Sequence, residues 1–285
     1  MYVVINVDDL GLHPAVTRAV AAGAEAGVVT SASLLAGGPC LGEALSLGGV
    51  GLGAHLNILR GRPLSPAREV PSLLGPGDAF LGRYRALWLR HRAGKLDLDQ
   101  VELEWGRQVE SLLAAGARLD HLDSEKHIHV WPGLWERACR LARRFGIPWL
   151  RRPLEPVPPL RWDMGALRAR VLAHWCKRAQ PGPDLGCPDL VWGVVDQAER
   201  LTPERFRDFM ARQAGRGARV VEIACHPGRP RPGDPDLPGD YGPMRVPRMW
   251  RGEWRSLSSG RWPGLWDELG LEPASYRDLK PGEAR

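Results

Sequence analysis

Apolar positions in this chain fall in short runs separated by longer amphipathic stretches. The first run, from Tyr2 to Asp8, is β-branched and nearly continuous, which predicts a strand covered on both faces. Residues 14–26 then follow helical spacing, with Pro14 in the first turn and Gly27 as a stop. Continued along the chain, the same reading predicts strands over 28–35, 50–59, 118–124, 149–154, 190–194 and 219–225. It predicts helices over 41–47, 96–115, 132–145, 164–179 and 203–213, the last with Thr202 as N-cap. Residues 60–95 and 180–188 are rich in Pro and Gly and read as loops, and 229–285 reads as an irregular C-terminal segment. The first loop follows His55, where it could serve as a lid or a substrate wall.

The pattern is a β/α repeat of about seven units, which implies a parallel sheet, either closed or open. Polar residues choose between the two. Asp8 and Asp9 end strand one, and His55 lies late in strand three. Asp123 and Glu125 end strand four, Arg152 lies in strand five, and His226 ends strand seven. Ionisable groups at the C-terminal ends of several strands converge on one face in a barrel, whereas an open sheet concentrates its site at one switch point. The expected fold is therefore α/β, an irregular (β/α) barrel of about seven parallel strands resembling a TIM barrel. With neither a repeat nor a linker in view, residues 1–285 read as one domain.

Composition narrows the function classes. Of 285 residues 44% are hydrophobic and 25% charged, which excludes a largely disordered chain. No apolar run approaches the ~18 residues of a membrane span. The first residues lack a basic leader, so a cytoplasmic protein is expected. The formal charge of +6 comes almost wholly from arginines scattered along the chain, so no nucleic-acid partner is expected. The Arg/Pro/Gly-rich stretch 229–255 reads as a solvated surface loop. Five cysteines without paired spacing suggest reduced thiols, with Cys139 and Cys176 as core filler.

Four segments carry candidate chemistry. Asp8-Asp9-Leu10-Gly11 sets two carboxylates side by side. Neighbours in a regular strand face opposite ways, so both reach one site only if the chain leaves strand geometry, which Gly11 permits. The alternative is an N-cap beside a solvated acid. His55 lies inside an apolar strand, where a hydrogen-bonded core histidine is the ordinary alternative. His121-Leu122-Asp123-Ser124-Glu125-Lys126-His127-Ile128-His129 packs imidazoles and carboxylates, the usual ligands of divalent metals, into nine residues. Cys225-His226-Pro227-Gly228 closes the last strand. Gly49-Val50-Gly51-Leu52-Gly53 imitates a phosphate loop but precedes His55 within a strand instead of opening a helix. No serine occupies a nucleophile elbow.

Together these segments resemble the YdjC-like carbohydrate deacetylase family over roughly residues 1–230. The matching pieces are Asn6-Val7-Asp8-Asp9-Leu10-Gly11, Gly53-Ala54-His55, Asp123-Ser124-Glu125-Lys126-His127-Ile128-His129, Arg152-Pro153-Leu154-Glu155 against an Arg-x-Pro-x-Glu strand, and Cys225-His226-Pro227. The resemblance implies a distorted barrel and a metal-dependent hydrolase that removes acetyl groups from N-acetylated amino sugars. It also implies Asp9, His55 and residue 125 as metal ligands and Asp8 as catalytic base. Position 125 departs from the family, which usually has His where this chain has Glu125. Three outcomes stay open: Glu125 ligates, His127 or His129 takes the role, or the metal and activity are lost. Two carboxylates and one imidazole favour Mg²⁺ or Mn²⁺ over Zn²⁺.

On that reading His226 is the candidate general acid, with His129 second, and Arg152 orients Asp8 or a sugar hydroxyl. Trp131 and Trp192 are candidate flat faces for a sugar. Another metal hydrolase on the same scaffold, and a diverged non-catalytic sugar-binding or regulatory protein, are the competing readings. The expected partner is an N-acetylated amino-sugar substrate, and pairing as a homodimer is open.

Overall fold

The structure is a computed structural model that describes residues 1–241 and 246–284. Seven parallel strands form one curled sheet: β1 (Tyr2–Leu10), β2 (Ser31–Leu34), β3 (Gly51–Leu56), β4 (Leu119–Ser124), β5 (Trp149–Leu150), β6 (Leu190–Trp192) and β7 (Val220–Cys225). Their order is β5-β4-β3-β2-β1-β7-β6, so β1 lies in the interior, between β2 and β7. The ladder stays open between β5 and β6, although Val191 N–H donates to Leu154 O across the gap at 2.9 Å. The fold is thus an irregular (β/α) barrel. A short strand β8 (Glu272–Pro273) adds to β1 from the C-terminal segment.

Helices α1 (Pro14–Glu25), α2 (Leu41–Leu45), α4 (Leu98–Ala114), α5 (Trp135–Arg144), α6 (Met164–Cys176) and α7 (Pro203–Gln213) flank the sheet. Asp97 and Thr202 cap α4 and α7 by accepting backbone N–H bonds in the first turn. Two stretches are more ordered than their composition predicts. Residues 60–95 contain α3 (Tyr84–Arg92) and three short 3₁₀ turns, while 229–285 contains α8 (Val246–Leu257) and α9 (Trp262–Leu269). Their Pro and Gly residues punctuate short elements that tertiary packing holds, where composition suggested loop. β5, expected to reach residue 154, pairs only through Trp149 and Leu150. Cys139 and Cys176 are buried and free. Among the described residues no helix is long and apolar enough to cross a membrane.

Strand periodicity divides β1 between two environments. Val3, Ile5 and Val7 join the main hydrophobic core, whereas Val4 belongs to a small cluster with Trp149, Val220 and Tyr276. Asn6 and Asp8 continue the Val4 face, and they meet polar groups from other strands. Asn6 Nδ2 donates to Ser33 Oγ at 2.8 Å and to Asp8 Oδ1 at 2.9 Å. Ser33 Oγ donates to Asp123 Oδ2 at 2.8 Å and lies 3.0 Å from His121 Nε2. The face that a barrel ordinarily fills with branched apolar side chains is here a buried hydrogen-bonded network.

The glycines of β3 make room for that network. In the β3–β4 register Gly53 stands opposite His121, and a Cβ on Gly53 would lie 2.3 Å from its imidazole. Gly53→Ala is therefore expected to cost about 1–3 kcal/mol by overpacking. Urea denaturation checks this, and wild-type stability in the variant would refute it.

Candidate active site

The polar groups gather at the C-terminal ends of the strands. β1 carries one extra residue against β2, its register slipping between Val7 and Leu10, and Asp8 and Asp9 occupy this bulge. Asp9 itself takes the left-handed conformation, φ 62°, which aspartate tolerates better than most residues. The turn that brings both carboxylates together thus begins at Asp9, ahead of Gly11.

Asp9, His55 and Glu125 each offer a ligand atom, all within 4.8 Å of one another and all buried. His55 Nε2 lies 3.4 Å from Asp9 Oδ1 and 4.0 Å from Glu125 Oε2. Its other nitrogen, Nδ1, lies 2.8 Å from Asp123 Oδ1 on the neighbouring strand, which fixes the ring with Nε2 toward the cluster. Two carboxylates crowd there, and burial followed by Glu125 pushes the Asp9 carboxyl up from its usual range. Burial would raise Glu125 too, but Lys126, His55 and Arg60 outweigh it and hold it down. Burial would lower His55, yet Asp123 outweighs it and raises the imidazole to about 10. A hard, oxygen-rich donor set with surplus negative charge suits a divalent cation.

Asp8 has different neighbours. Arg151, fully buried, donates Nη1 to Asp8 Oδ2 at 2.8 Å and Nη2 to Asp8 Oδ1 at 2.7 Å. Arg151 Nη1 also lies 2.8 Å from Asp123 Oδ2, and Nε donates to Glu222 Oε1 at 2.8 Å. Burial opposes ionisation of Asp8, but Arg151 prevails and holds the carboxyl at about 2. His226 Nε2 stands 3.7 Å from Asp8 Oδ2. The cavity above, about 210 Å³, is lined by Asp8, Asp9, His55, Glu125, His127 and His226 on one side. Tyr84, Lys126, Arg168, Leu172, Val194 and Gln197 form the rest of its wall.

Several expected site residues lie elsewhere. Arg152 faces a separate cavity beside Cys187 and Gln180, because adjacent residues of an extended segment point to opposite sides. Arg151 is the residue on Asp8. The spacing of the motif could have located it, since Arg-x-Pro-x-Glu read back from Glu155 and Pro153 begins at Arg151. His129 is fully buried, with Nδ1 2.6 Å from Ser124 Oγ and Nε2 2.7 Å from Arg151 O, so neither nitrogen is free for a ligand or a substrate. Burial brings it down to about 4. His127 lines the cavity but lies outside the three-residue cluster, and among the described residues its buried Nδ1 has no hydrogen-bond partner. Trp131 and Trp192 are fully buried and present no face to a sugar. Tyr84, from the 60–95 insertion, supplies the aromatic wall, its hydroxyl accepting from Trp131 Nε1 at 3.3 Å.

Fold and cluster together place the candidate site at the C-terminal ends of the strands of a (β/α) barrel, the face on which barrel enzymes carry their chemistry. The family model described as YdjC-like protein matches residues 2–268, and the chain belongs to that family. It is 32% identical over 248 residues to a human protein named carbohydrate deacetylase, covering 81% of this chain and 76% of that one. It is 28% identical over 229 residues to a Serratia marcescens protein named chitooligosaccharide deacetylase, covering 79% and 80%. A solved Enterococcus faecalis structure, described as a cellobiose-phosphate cleavage protein, superposes with a TM-score of 0.78 at 25% identity over 98% of both chains.

Two outcomes follow from the buried charges. Arg151→Met would leave Asp8, Asp123 and Glu222 without their shared cation, and a loss of about 3–5 kcal/mol is expected. Unfolding in urea checks it; a loss below 1 kcal/mol would contradict this assignment by order of magnitude. Glu155 accepts Val194 and Val195 N–H at 2.7 and 3.0 Å, and burial raises its carboxyl from 4.5 to about 8. The folded state therefore holds this proton more tightly than the unfolded chain. The resulting stability is complete below pH 4.5 and fades as pH rises toward about 8. Glu155→Gln should flatten the wild-type decline across that window in parallel denaturation curves, and identical slopes would refute it.

Proposed function

We propose that the protein is a metal-dependent hydrolase removing the acetyl group from an N-acetylated amino sugar, as an oligosaccharide or glycoconjugate. The observation that carries this reading is the ligand-competent trio Asp9, His55 and Glu125, set beside a separately anchored carboxylate, Asp8, and an imidazole, His226. The names of the relatives supply the substrate class. On this reading the trio holds the metal, with Mg²⁺ or Mn²⁺ favoured over Zn²⁺ by its two carboxylates. When bound, such an ion supplies Lewis-acid polarisation of the acetyl carbonyl and lowers the pKa of water.

The remaining work falls to the side chains. Arg151 keeps Asp8 ionised and aimed, so its carboxylate receives the proton that the attacking water gives up. Water oxygen bonds to the acetyl carbon as the C–N bond breaks, and the departing nitrogen takes a proton from His226. Acetate and a free amine result. Tyr84, Leu172 and Val194 offer apolar surface to the sugar, and Arg168 and Gln197 offer polar contacts.

Acetate release from N-acetylglucosamine oligomers, with and without a chelator, tests the reading. Turnover should vanish with chelator and return with Mg²⁺ or Mn²⁺. Asp8→Asn should reduce kcat by about 10²–10⁴-fold with metal content intact, whereas Glu125→Ala should lose metal. Chelator-insensitive release, or loss of metal from Asp8→Asn, would refute the assignment. Sugar binding without acetate release would mark a binding protein instead.

A further inference from the structure

Residues 229–285 stand outside the strand–helix alternation, yet α8 places a fully buried acid, Glu253, next to the site. Its Oε1 accepts Ala198 N–H at 2.8 Å and its Oε2 accepts His226 N–H. One carboxylate therefore bridges the backbone of the loop after β6 and of the turn after β7. Both carry cavity residues, Gln197 in the first and His226 in the second. Among the described residues no lysine or arginine pairs with Glu253; burial pushes its carboxyl up, and His226 together with these two backbone bonds opposes that.

The fit around this bridge is close. A Cβ on Gly252 would come within 3.0 Å of Glu199 N and 3.1 Å of the Ala198 carbonyl carbon. Trp250 O accepts Gly228 N–H at 3.2 Å, and a Cβ on Gly228 would strike the Trp250 side chain at 2.7 Å. Ala198 itself is held at φ 57°, a left-handed conformation that alanine keeps only where its surroundings impose it. Among the described residues His226 Nδ1 is buried without a hydrogen-bond partner, and the residue is held by its main-chain N–H donating to Glu253.

We propose that Glu253 is a positioning residue for the hydrolysis, locking the backbones of Ala198 and His226 so that His226 stays within reach of Asp8 and Gln197 stays at the cavity wall. The proposal rests on the deacetylase reading above for its kinetic test and on geometry for the rest. Glu253→Gln keeps the side chain's size but turns one acceptor oxygen into an NH₂ facing a backbone N–H.

Two measurements decide it. In ¹⁵N-labelled wild-type protein the His226 amide proton, donating to a carboxylate, should resonate well downfield, and Glu253→Gln should move it upfield. The same variant should lose about 10–100-fold in kcat, with KM and calorimetric Mn²⁺ affinity unchanged. Arg248→Ala, on the exposed face of α8, should alter none of these. An ordinary amide shift in the wild type, an unchanged kcat in Glu253→Gln, or a parallel loss of Mn²⁺ affinity and turnover would each overturn the proposal. If the wild-type protein releases no acetate, the deacetylase reading fails, while the amide resonance still decides whether the bridge exists.

Discussion

One guanidinium group holds the interior together. Arg151, without solvent access, meets Asp8, Asp123 and Glu222 from three different strands. Any of these carboxylates alone in that interior would be costly, and the arginine alone would be costlier still. Burial pushes Glu222 up, and Tyr276 donates its hydroxyl to the second Glu222 oxygen at 2.6 Å. Arg151 and His55 instead hold Asp123 well below the ordinary carboxylate range. The same cation thus holds Asp8 and Asp123 down while burial draws Glu222 the other way, and it aims Asp8 at the cavity in doing so. Packing and chemistry are coupled through a single side chain.

The repeat, its parallel strands and its convergent polar ends were legible because buried parallel strands and amphipathic helices leave different periods in a sequence. The pair Asp8-Asp9 was legible as a departure from strand geometry. Arg151 was missed by one position because adjacent arginines look alike until a strand phase is assigned. The phase was present in the chain: Asn6 and Asp8, and His121 and Asp123, each repeat at two residues, and with Ser33 they lie buried in one network. Trp131 and Trp192 misled for the opposite reason. Position near a strand end says little about exposure, and both indoles pack inward, Trp131 against Tyr84 and Trp88 and Trp192 against Phe206 and Trp262.

The segments that broke the alternation turn out to build the cavity's surroundings. The 60–95 insertion contributes Tyr84 to the wall and Arg60 to the neighbourhood of Glu125, Arg60 Nε lying 3.4 Å from Glu125 Oε1. Arg60 is itself tied to the C-terminal segment through Tyr241 O at 2.7 Å. Glu125 therefore has cationic groups, Arg60 and Lys126, already beside it, which is the local chemistry a second carboxylate requires. Tyr276, β8 and Glu253 extend the same dependence of the site on residues far from its motifs.

The interior position of β1, between β2 and β7, also governs how the molecule is assembled. During synthesis β1 finds β2 early, but its other edge stays bare until Val220 to Cys225 arrive to pair with Tyr2 to Val7. Closure of the sheet is consequently a late, long-range event during synthesis, and contacts so distant in sequence slow folding. Until then the nascent chain carries an apolar, β-branched edge able to pair with other chains, so protection by a chaperone has its greatest value in that interval.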